Sequence, residues 1–385
     1  MHRFALKMLL GEPGKYFGIL LGITFASLLI TLQGSIFTGV MTRTISFIRD
    51  VGEPDIWAMD QKVQFIDDVK PMPDTALYRV RAVEGVQWAV PLYKGMLKAR
   101  LQSGEFQTCN VLGLDDVSLV GGPPEMIEGQ LADLRSTDAV IVDQVGATAK
   151  LAKLDPATGK KIPVRLGDTL ELNDHRAVVV GICKVSRTFQ SQPVIYTTYS
   201  RATTFAPRER KLLGFVLVKA RAGVDHEKLC ERITAETGLG ARTRDGFQWM
   251  TLVYFMKMTG IPINIGIGVI LALVVGTAIS GQTFYAFTLD NLRYLGALKA
   301  MGAGNWLLTR MVLLQALWVG CVGYGLGVGL ASLIGYAARG TEMAFRMPWQ
   351  LLLISGGAVI FICLIAAALS LRTVLKLEPA IVFRS

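Results

Sequence analysis

YFGILLGITFASLLITLQGSIFTGVMT, residues 16–42, runs from Lys15 to Arg43 as 27 consecutive residues without a charge. A helix needs roughly 20 apolar residues to cross the hydrocarbon core of a bilayer, so the block suffices for one crossing and is too short for two. Three further blocks behave alike: 32 uncharged residues between Lys257 and Asp290, 28 between Arg310 and Arg339, and 25 between Arg346 and Arg372. The chain of 385 residues is 51% hydrophobic and 18% charged. Soluble proteins carry about 25% charge, and here the deficit is confined to four blocks instead of being spread thinly. Buried helices of a soluble core rarely run this long without one solvated charge. Four membrane spans are therefore expected, at residues 16–41, 261–287, 309–337 and 349–371. The first follows a basic start, but its apolar length exceeds the roughly 7–15 residues of a signal-peptide core, so it reads as a retained anchor.

Four crossings put both ends on one side and the large insert between spans 1 and 2 on the other. Short segments set the orientation, because long domains cross largely regardless of charge. Arg3, Lys7 and Lys15 precede span 1, Arg293, Lys299 and Arg310 lie in the 290–310 connection, and Arg372, Lys376 and Arg384 lie in the tail. The short loop on the opposite side holds only Arg339 and Arg346. The expected arrangement is a multi-pass protein of the inner (plasma) membrane, with both termini cytoplasmic and the insert periplasmic. The net charge of +10 mostly reflects this bias, since residues 41–260 hold 29 basic and 26 acidic side chains. The bilayer is the expected partner of the basic surplus, and nucleic acid is not.

The resulting division is a cytoplasmic amphipathic helix at 1–15, span 1 at 16–41, an outer domain with its stalk at 42–258, and a second membrane region at 259–385. Within the outer domain, Arg43 to Asp50 reads as a charged helical stalk and Asp55 to Met59 as a strand. Thr75 to Val83 reads as a short helix ended by Gly85. Val86 to Leu92, Gly95 to Leu101 and Phe106 to Leu114 read as successive strands separated by turns. Ala139 to Val142 reads as a buried strand running into a helix at Gln144 to Leu154. Strands are expected around the Gly167-Asp168 turn, at Ala177 to Ile182 and at Phe215 to Lys219. A helix is expected at Asp225 to Thr237, with Asp225 near its N-cap. Gly246 to Trp249 leads back to the membrane. β-α pieces at both ends of the insert, flanking a β-rich middle, point to an α+β domain of two subdomains.

The insert shows no catalytic spacing. His226 and Cys230, four apart on a helix, are two candidate ligands where structural zinc needs four. No GxSxG, HExxH or CxxC pattern occurs, and Thr158-Gly159-Lys160-Lys161 lacks the upstream glycine and the Ser/Thr of a nucleotide-binding loop. No enzyme, catalytic residue, metal site or cofactor site is expected in this chain. Cys109, Cys183 and Cys230, an odd number at wide spacing, imply no disulfide framework and leave one bridge open. Cys321 and Cys363 fall inside spans.

The span cores contain no Asp, Glu, Lys, Arg or His, which argues against proton relays or ion pathways at membrane depth. Span 3 carries glycines instead. Gly323, Gly327, Ala331 and Gly335 form one small-residue stripe, and Gly325 with Gly329 forms a neighbouring pair, a pattern that lets helices approach closely whether the contact is fixed or sliding. Residues 2–10 place Arg3, Phe4, Lys7 and Met8 on an interfacial helix stopped by Gly11, Pro13 and Gly14. The 2–3 connection, Asp290 to Trp306, reads as a helix with Leu292, Leu295 and Leu298 inward and Arg293 and Lys299 exposed, broken at Gly302-Ala303-Gly304.

Residues 291–303, NLRYLGALKAMGA, resemble the coupling segment R-E-I-G-x-L-R-A-L-G-A of the FtsX-like permease family of ABC transporters, in its MacB and DevC group. Leu314-Gln315-Ala316 with the Gly320 to Gly329 stretch is similar to the family's third span, and Glu378 to Arg384 is similar to its closing P-A-x-x-x-R. Arg165 to Leu170 and Val179 to Ile182 resemble the MacB-like periplasmic core domain. The order of these elements matches over nearly the whole chain. Two residues depart from the pattern: the family's acidic residue is Tyr294 here and its second arginine is Lys299.

The resemblance implies a permease without a fused ATPase, as in DevC, working as a homodimer with a separate ABC ATPase that binds ATP and Mg. Leu292, Arg293, Tyr294, Leu295, Gly296, Leu298, Lys299, Met301 and Gly302 would form the ATPase-coupling helix. The function implied is type VII (MacB-like) export of an amphipathic lipid, glycolipid or peptide through a periplasmic membrane-fusion adaptor and an outer-membrane channel. Two other family roles share the layout: regulation of an outer enzyme, as in FtsX, and lipoprotein release, as in LolC and LolE.

Overall fold

A computed structural model of the chain describes residues 7–101, 104–154, 159–207 and 213–375. Arg3 and Phe4 of the expected interfacial helix, and the tail from residue 376, lie outside the described residues. The chain divides into two units, Met1–Val40 with Gly260–Ser385, and Met41–Thr259.

The first unit contains four helices long and apolar enough to cross a membrane: span 1 (Pro13–Thr44), span 2 (Ile261–Asp290), span 3 (Asn305–Ala337) and span 4 (Trp349–Leu375). Each outruns its expected limits at one end or both, because the helix continues past the charges that bounded the apolar block. Pro13 and Gly14 do not stop the preceding helix. The break falls at Gly11, and Pro13 opens span 1, where a first-turn N–H would go unused and the ring presets φ. Small residues let the spans meet. A Cβ on Gly22 would lie 2.9 Å from Ile279 Cγ2, one on Gly323 2.7 Å from Ile23 Cγ2, and one on Gly320 2.7 Å from Cys363 Sγ. Those approaches join span 1 to spans 2 and 3, and span 3 to span 4, around a core that includes Ile19, Ile23, Phe284, Phe287, Val319 and Val359.

The second unit is built on a ten-stranded sheet. Its strands are β1 (Ile56–Met59), β2 (Val86–Arg100), β3 (Phe106–Leu114), β4 (Glu125–Glu128), β5 (Ala139–Asp143), β6 (Thr169–Leu172), β7 (His175–Lys184), β8 (Val194–Thr198), β9 (Phe215–Ala220) and β10 (Gly240–Thr243). They run in the order β10-β1-β9-β2-β3-β8-β5-β7-β4, with β6 pairing β2 and β7. Its helices are α1 (Ser46–Asp50), α2 (Thr75–Ala82), α3 (Tyr199–Phe205), α4 (His226–Thr237) and α5 (Arg244–Met258).

The two expected subdomains are two ends of this one sheet. One end gathers β1, β9, β10, α2 and α4 from opposite extremes of the insert around Ala76, Val80, Val216, Leu229 and Ile233. The other buries Val111, Val140, Val142, Val179 and Ile195 beneath Ala202 and Phe205 of α3. They are joined by β2, which corrects a sequence expectation. Val86 to Leu101 is not two strands with a turn at Tyr93-Lys94; Val86–Arg100 is a single strand of 15 residues. Val86–Leu92 pairs β9 and Tyr93–Arg100 pairs β3, so the apparent break is a change of partner. Lys94 is tolerated inside because Asp67 pairs with it and the Phe47 ring lies 5.9 Å away.

Three other local readings change or sharpen. Gln144 to Leu154 is not an α-helix: one turn widens into a π-helical segment, Gly146–Lys150, whose close packing admits no side chain at Gly146, where a Cβ would lie 2.8 Å from Pro193 Cβ. The 43–50 stalk is helical, with Arg43 and Thr44 closing span 1 and Ser46–Asp50 forming α1, and its Ser46, Phe47 and Ile48 are buried. Helix α4 starts as expected: Asp225 accepts from Glu227 N (2.9 Å) and Lys228 N (3.3 Å), and Gly238 closes the helix at φ +68°.

Candidate coupling surface

The 2–3 connection folds as a helix at Leu292–Ala300, shorter than the expected 290–306. Its periodicity makes one face and one stop. Leu295 is 2% exposed and packs with Leu308, Met8, Leu298, Ala303 and Leu371; Gly296 is buried, and Leu292 is half-buried. At the far end Gly302 takes φ +95°, Ala303 N donates to Leu298 O (3.0 Å) and Gly302 N to Lys299 O (3.1 Å). These two bonds form a Schellman cap, which needs a left-handed residue and so favours glycine.

Arg293, Tyr294, Ala297, Ala300 and Met301 face outward, with Tyr294 61% and Met301 76% exposed, and Trp306 follows at 71%. Lys299 is half-buried instead of exposed, so Arg293 is the outward cation of this helix. The result is a guanidinium, a tyrosine ring and a thioether turned outward on and just after an anchored helix, with the Trp306 ring exposed at the start of span 3. Tyr, Trp, Met and Arg are the residue types that protein interfaces favour.

The base of the patch is tied to the start of span 1. Lys15 pairs with Glu12 (2.8 Å) and with Asp290, and Asn291 Nδ2 donates to Glu12 Oε1 (3.2 Å) and to Phe287 O (2.9 Å). Asn291 is 2% exposed. Sequence reasoning used Lys15 for sidedness and missed this network, because its halves lie 279 positions apart. Of the interfacial helix, Lys7 is exposed and Met8 half-buried, while Leu9 is fully buried in a cluster with residues of all four spans.

The span 3 glycines separate into two classes. Gly323, Gly327, Ala331 and Gly335 are all buried. A Cβ on Gly327 would lie 2.5 Å from Ser27 Cβ, and Ser27 Oγ donates to Tyr324 O (3.3 Å). Gly325 and Gly329 are exposed, and a Cβ on either meets nothing within 4 Å, so this pair packs no helix of its own chain. In the outer domain, His226 Nε2 stands 3.9 Å from Asp55 Oδ2, and Cys230 is buried. All five cysteines are free. Burial pushes the Cys109 and Cys230 thiols up to about 12, so neither supplies thiolate at neutral pH.

The MacB-like periplasmic core domain family matches residues 17–236, and the FtsX-like permease C-terminal family matches residues 251–379. The chain belongs to the FtsX-like, MacB-like ABC transporter permeases. An uncharacterized ABC transporter permease of Mycobacterium tuberculosis, found in strains CDC 1551 / Oshkosh and H37Rv, is 24% identical over 318 residues, 81% of this chain and 79% of the relative. Among solved structures, the permease is similar to the extracellular domain of the noncanonic ABC-type transporter YknZ from Gram-positive bacteria, at 13% identity over 49% of this chain and 98% of that one, with a TM-score of 0.35. It is also similar to the periplasmic region of MacB from Actinobacillus actinomycetemcomitans, at 16% identity over 52% of this chain and 94% of that one, with a TM-score of 0.35. As an ABC transporter permease it is a membrane protein that works with a partner ATPase.

Proposed function

We propose that this permease converts ATP binding and hydrolysis by a separate ATPase subunit into movement of its outer domain, and that this movement exports an amphipathic lipid, glycolipid or peptide. The observation that carries the reading is the Arg293, Tyr294, Met301 and Trp306 patch, outward-facing yet anchored through Leu295 to Leu308 and Leu371 of spans 3 and 4. A patch held this way passes a push into the spans instead of absorbing it, because close-packed interiors transmit strain. Tyr294 replaces an acidic residue of the family pattern, so docking here relies on aromatic packing and on Arg293 more than on a carboxylate.

The patch lies on the cytoplasmic side, as the basic residues of the short segments indicate. ATP and Mg belong to the partner, and the permease itself carries out no chemistry. Two copies sit on two ATPases. A periplasmic adaptor and an outer-membrane channel complete the route. Purification of the tagged chain from its native membrane tests the assembly: an ABC ATPase should be retained by the wild type and lost when Tyr294 and Met301 are both changed to Ser. Recovery of the wild-type permease without any ATPase contradicts the reading.

A further inference from the structure

Residues 185–193 connect β7 to β8, and contacts from three directions converge on them. From the extension of span 1, Arg43 Nη1 donates to Ser191 Oγ (3.4 Å), Ser46 Oγ to Arg187 O (3.0 Å), and Asp50 accepts from both Ser186 N and Ser186 Oγ (2.8 Å each). From α5, which ends two residues before span 2 begins, Phe255 meets Phe189 with ring centroids 5.0 Å apart. Phe255 is itself buried against Phe65, at 5.5 Å. From the sheet, Gln107 Nε2 donates to Gln192 Oε1 (2.9 Å), Asn110 N to Pro193 O (2.8 Å), and Val194 N to Asp143 Oδ1 (2.6 Å).

The loop is held in a conformation it would not choose alone. Ser191 takes φ +49°, kept there by a turn in which its N–H donates to Thr188 O (3.1 Å) and by Lys150 Nζ donating to its carbonyl (2.8 Å). A non-glycine residue persists in that region only where its surroundings fix it. Immediately after the loop comes β8, which lies between β3 and β5, parallel to the first and antiparallel to the second.

We propose that loop 185–193 is the transmission element of the outer domain: it grips both chain segments that lead to membrane spans and passes their displacement to β8. A loop tied on one side would absorb such a displacement, whereas one tied on three sides moves its strand. The inference rests on the coupling reading above and names the residues that carry the stroke beyond the membrane. Ser186, Arg187 and Ser191 grip the segment leading from span 1, Phe189 grips the one leading to span 2, and Asp143 fixes the outlet at Val194.

The test uses the complete complex with its ATPase in lipid nanodiscs, reading hydrogen exchange at the Val194–Thr198 amides with and without ATP and vanadate. In the wild type, nucleotide should change exchange there by at least about threefold, a shift of the size that local opening equilibria show. In a variant combining Arg43→Met, Ser46→Ala, Asp50→Asn, Ser186→Ala and Phe189→Ala, which cuts each of these ties to the two membrane-leading segments, that dependence should vanish while ATP hydrolysis stays within about twofold of wild type, because the catalytic subunit is untouched. Exchange at Phe215–Ala220 should be unchanged, showing that the domain remains folded. Replacing the polar grip covalently, with Asp50→Cys and Ser186→Cys on the Arg43→Met, Ser46→Ala and Phe189→Ala background, should restore the dependence when oxidised and lose it on reduction. The proposal is overturned if nucleotide still alters β8 exchange in the variant with all these ties removed. It is overturned equally if β8 exchange ignores nucleotide in a wild-type complex whose hydrolysis is coupled. Failure of the coupling reading looks different: hydrolysis would then be indifferent to changes at Arg293 and Tyr294.

Discussion

Gly327→Ala and Gly325→Ala make a controlled pair, two residues apart on one helix with opposite surroundings. A Cβ on Gly327 would sit 2.5 Å from Ser27 Cβ, 2.6 Å from Ser27 Oγ and 2.8 Å from Leu28 N. Carbon atoms are comfortable at about 3.5–4.0 Å, so spans 1 and 3 must separate by roughly 1 Å along that line. Leu28 N is backbone and cannot rotate aside, and the retreat also loosens the Gly323 contact with Ile23. Overpacking of this kind costs about 1–3 kcal/mol. Both substitutions gain the same helix-propensity advantage of alanine over glycine, about 1 kcal/mol, so it cancels in the comparison. Gly325→Ala meets nothing and keeps that gain. The two variants should therefore differ by about 1–3 kcal/mol, read as a lower melting temperature of about 2–12 °C for Gly327→Ala in nanodiscs. Ser27→Gly should recover much of the loss in a double-mutant cycle, since the two residues touch. A Gly327→Ala protein as stable as Gly325→Ala would refute the seam between spans 1 and 3.

Two further outcomes follow from the same geometry. Leu295→Ala removes a side chain that is 2% exposed and should cost about 2–5 kcal/mol, seen as faster proteolysis of the 290–304 connection in membrane vesicles. Burial holds the Asp143 carboxyl above its ordinary range, against the opposing pull of the N–H groups of Val194, Gly146 and Val145. A raised folded-state value means that the protonated acid favours folding: this contribution is complete below about pH 3.9 and is lost as pH rises through the folded value. Asp143→Asn has no proton to lose, so the fall in stability that the wild type shows as pH rises from about 4 should be reduced in the variant, measured by denaturant unfolding.

The membrane half was legible because charge exclusion is a one-dimensional property: Lys15, Arg43, Lys257 and Asp290 mark the limits without any knowledge of neighbours. Helix α4 was legible for the same reason, since Asp225 and Gly238 act on their own backbone. β2 was misread because a charged Lys94 just ahead of Gly95 looks like a break after Leu92, while its actual role depends on Asp67 and on a change from β9 to β3 that no local pattern records. β8 was missed: Val194–Thr198 is short, bounded by polar Ser191-Gln192-Pro193, and buried on both faces, so it shows no alternation. On the coupling surface, the inward leucines and the Gly302 stop could be read from spacing. The Glu12, Lys15 and Asp290 ties could not, because they exist only once spans 1 and 2 lie side by side.

ATP hydrolysis by the partner subunit, measured in nanodiscs with and without the permease, tests the central claim most directly. Wild type should alter the rate of the free ATPase, and a permease carrying Arg293→Glu, Tyr294→Ala and Met301→Ala should lose that effect, with at least about 30-fold weaker association for the truncation of interface anchors. A hydrolysis rate that responds equally to wild type and to the triple variant would contradict the account.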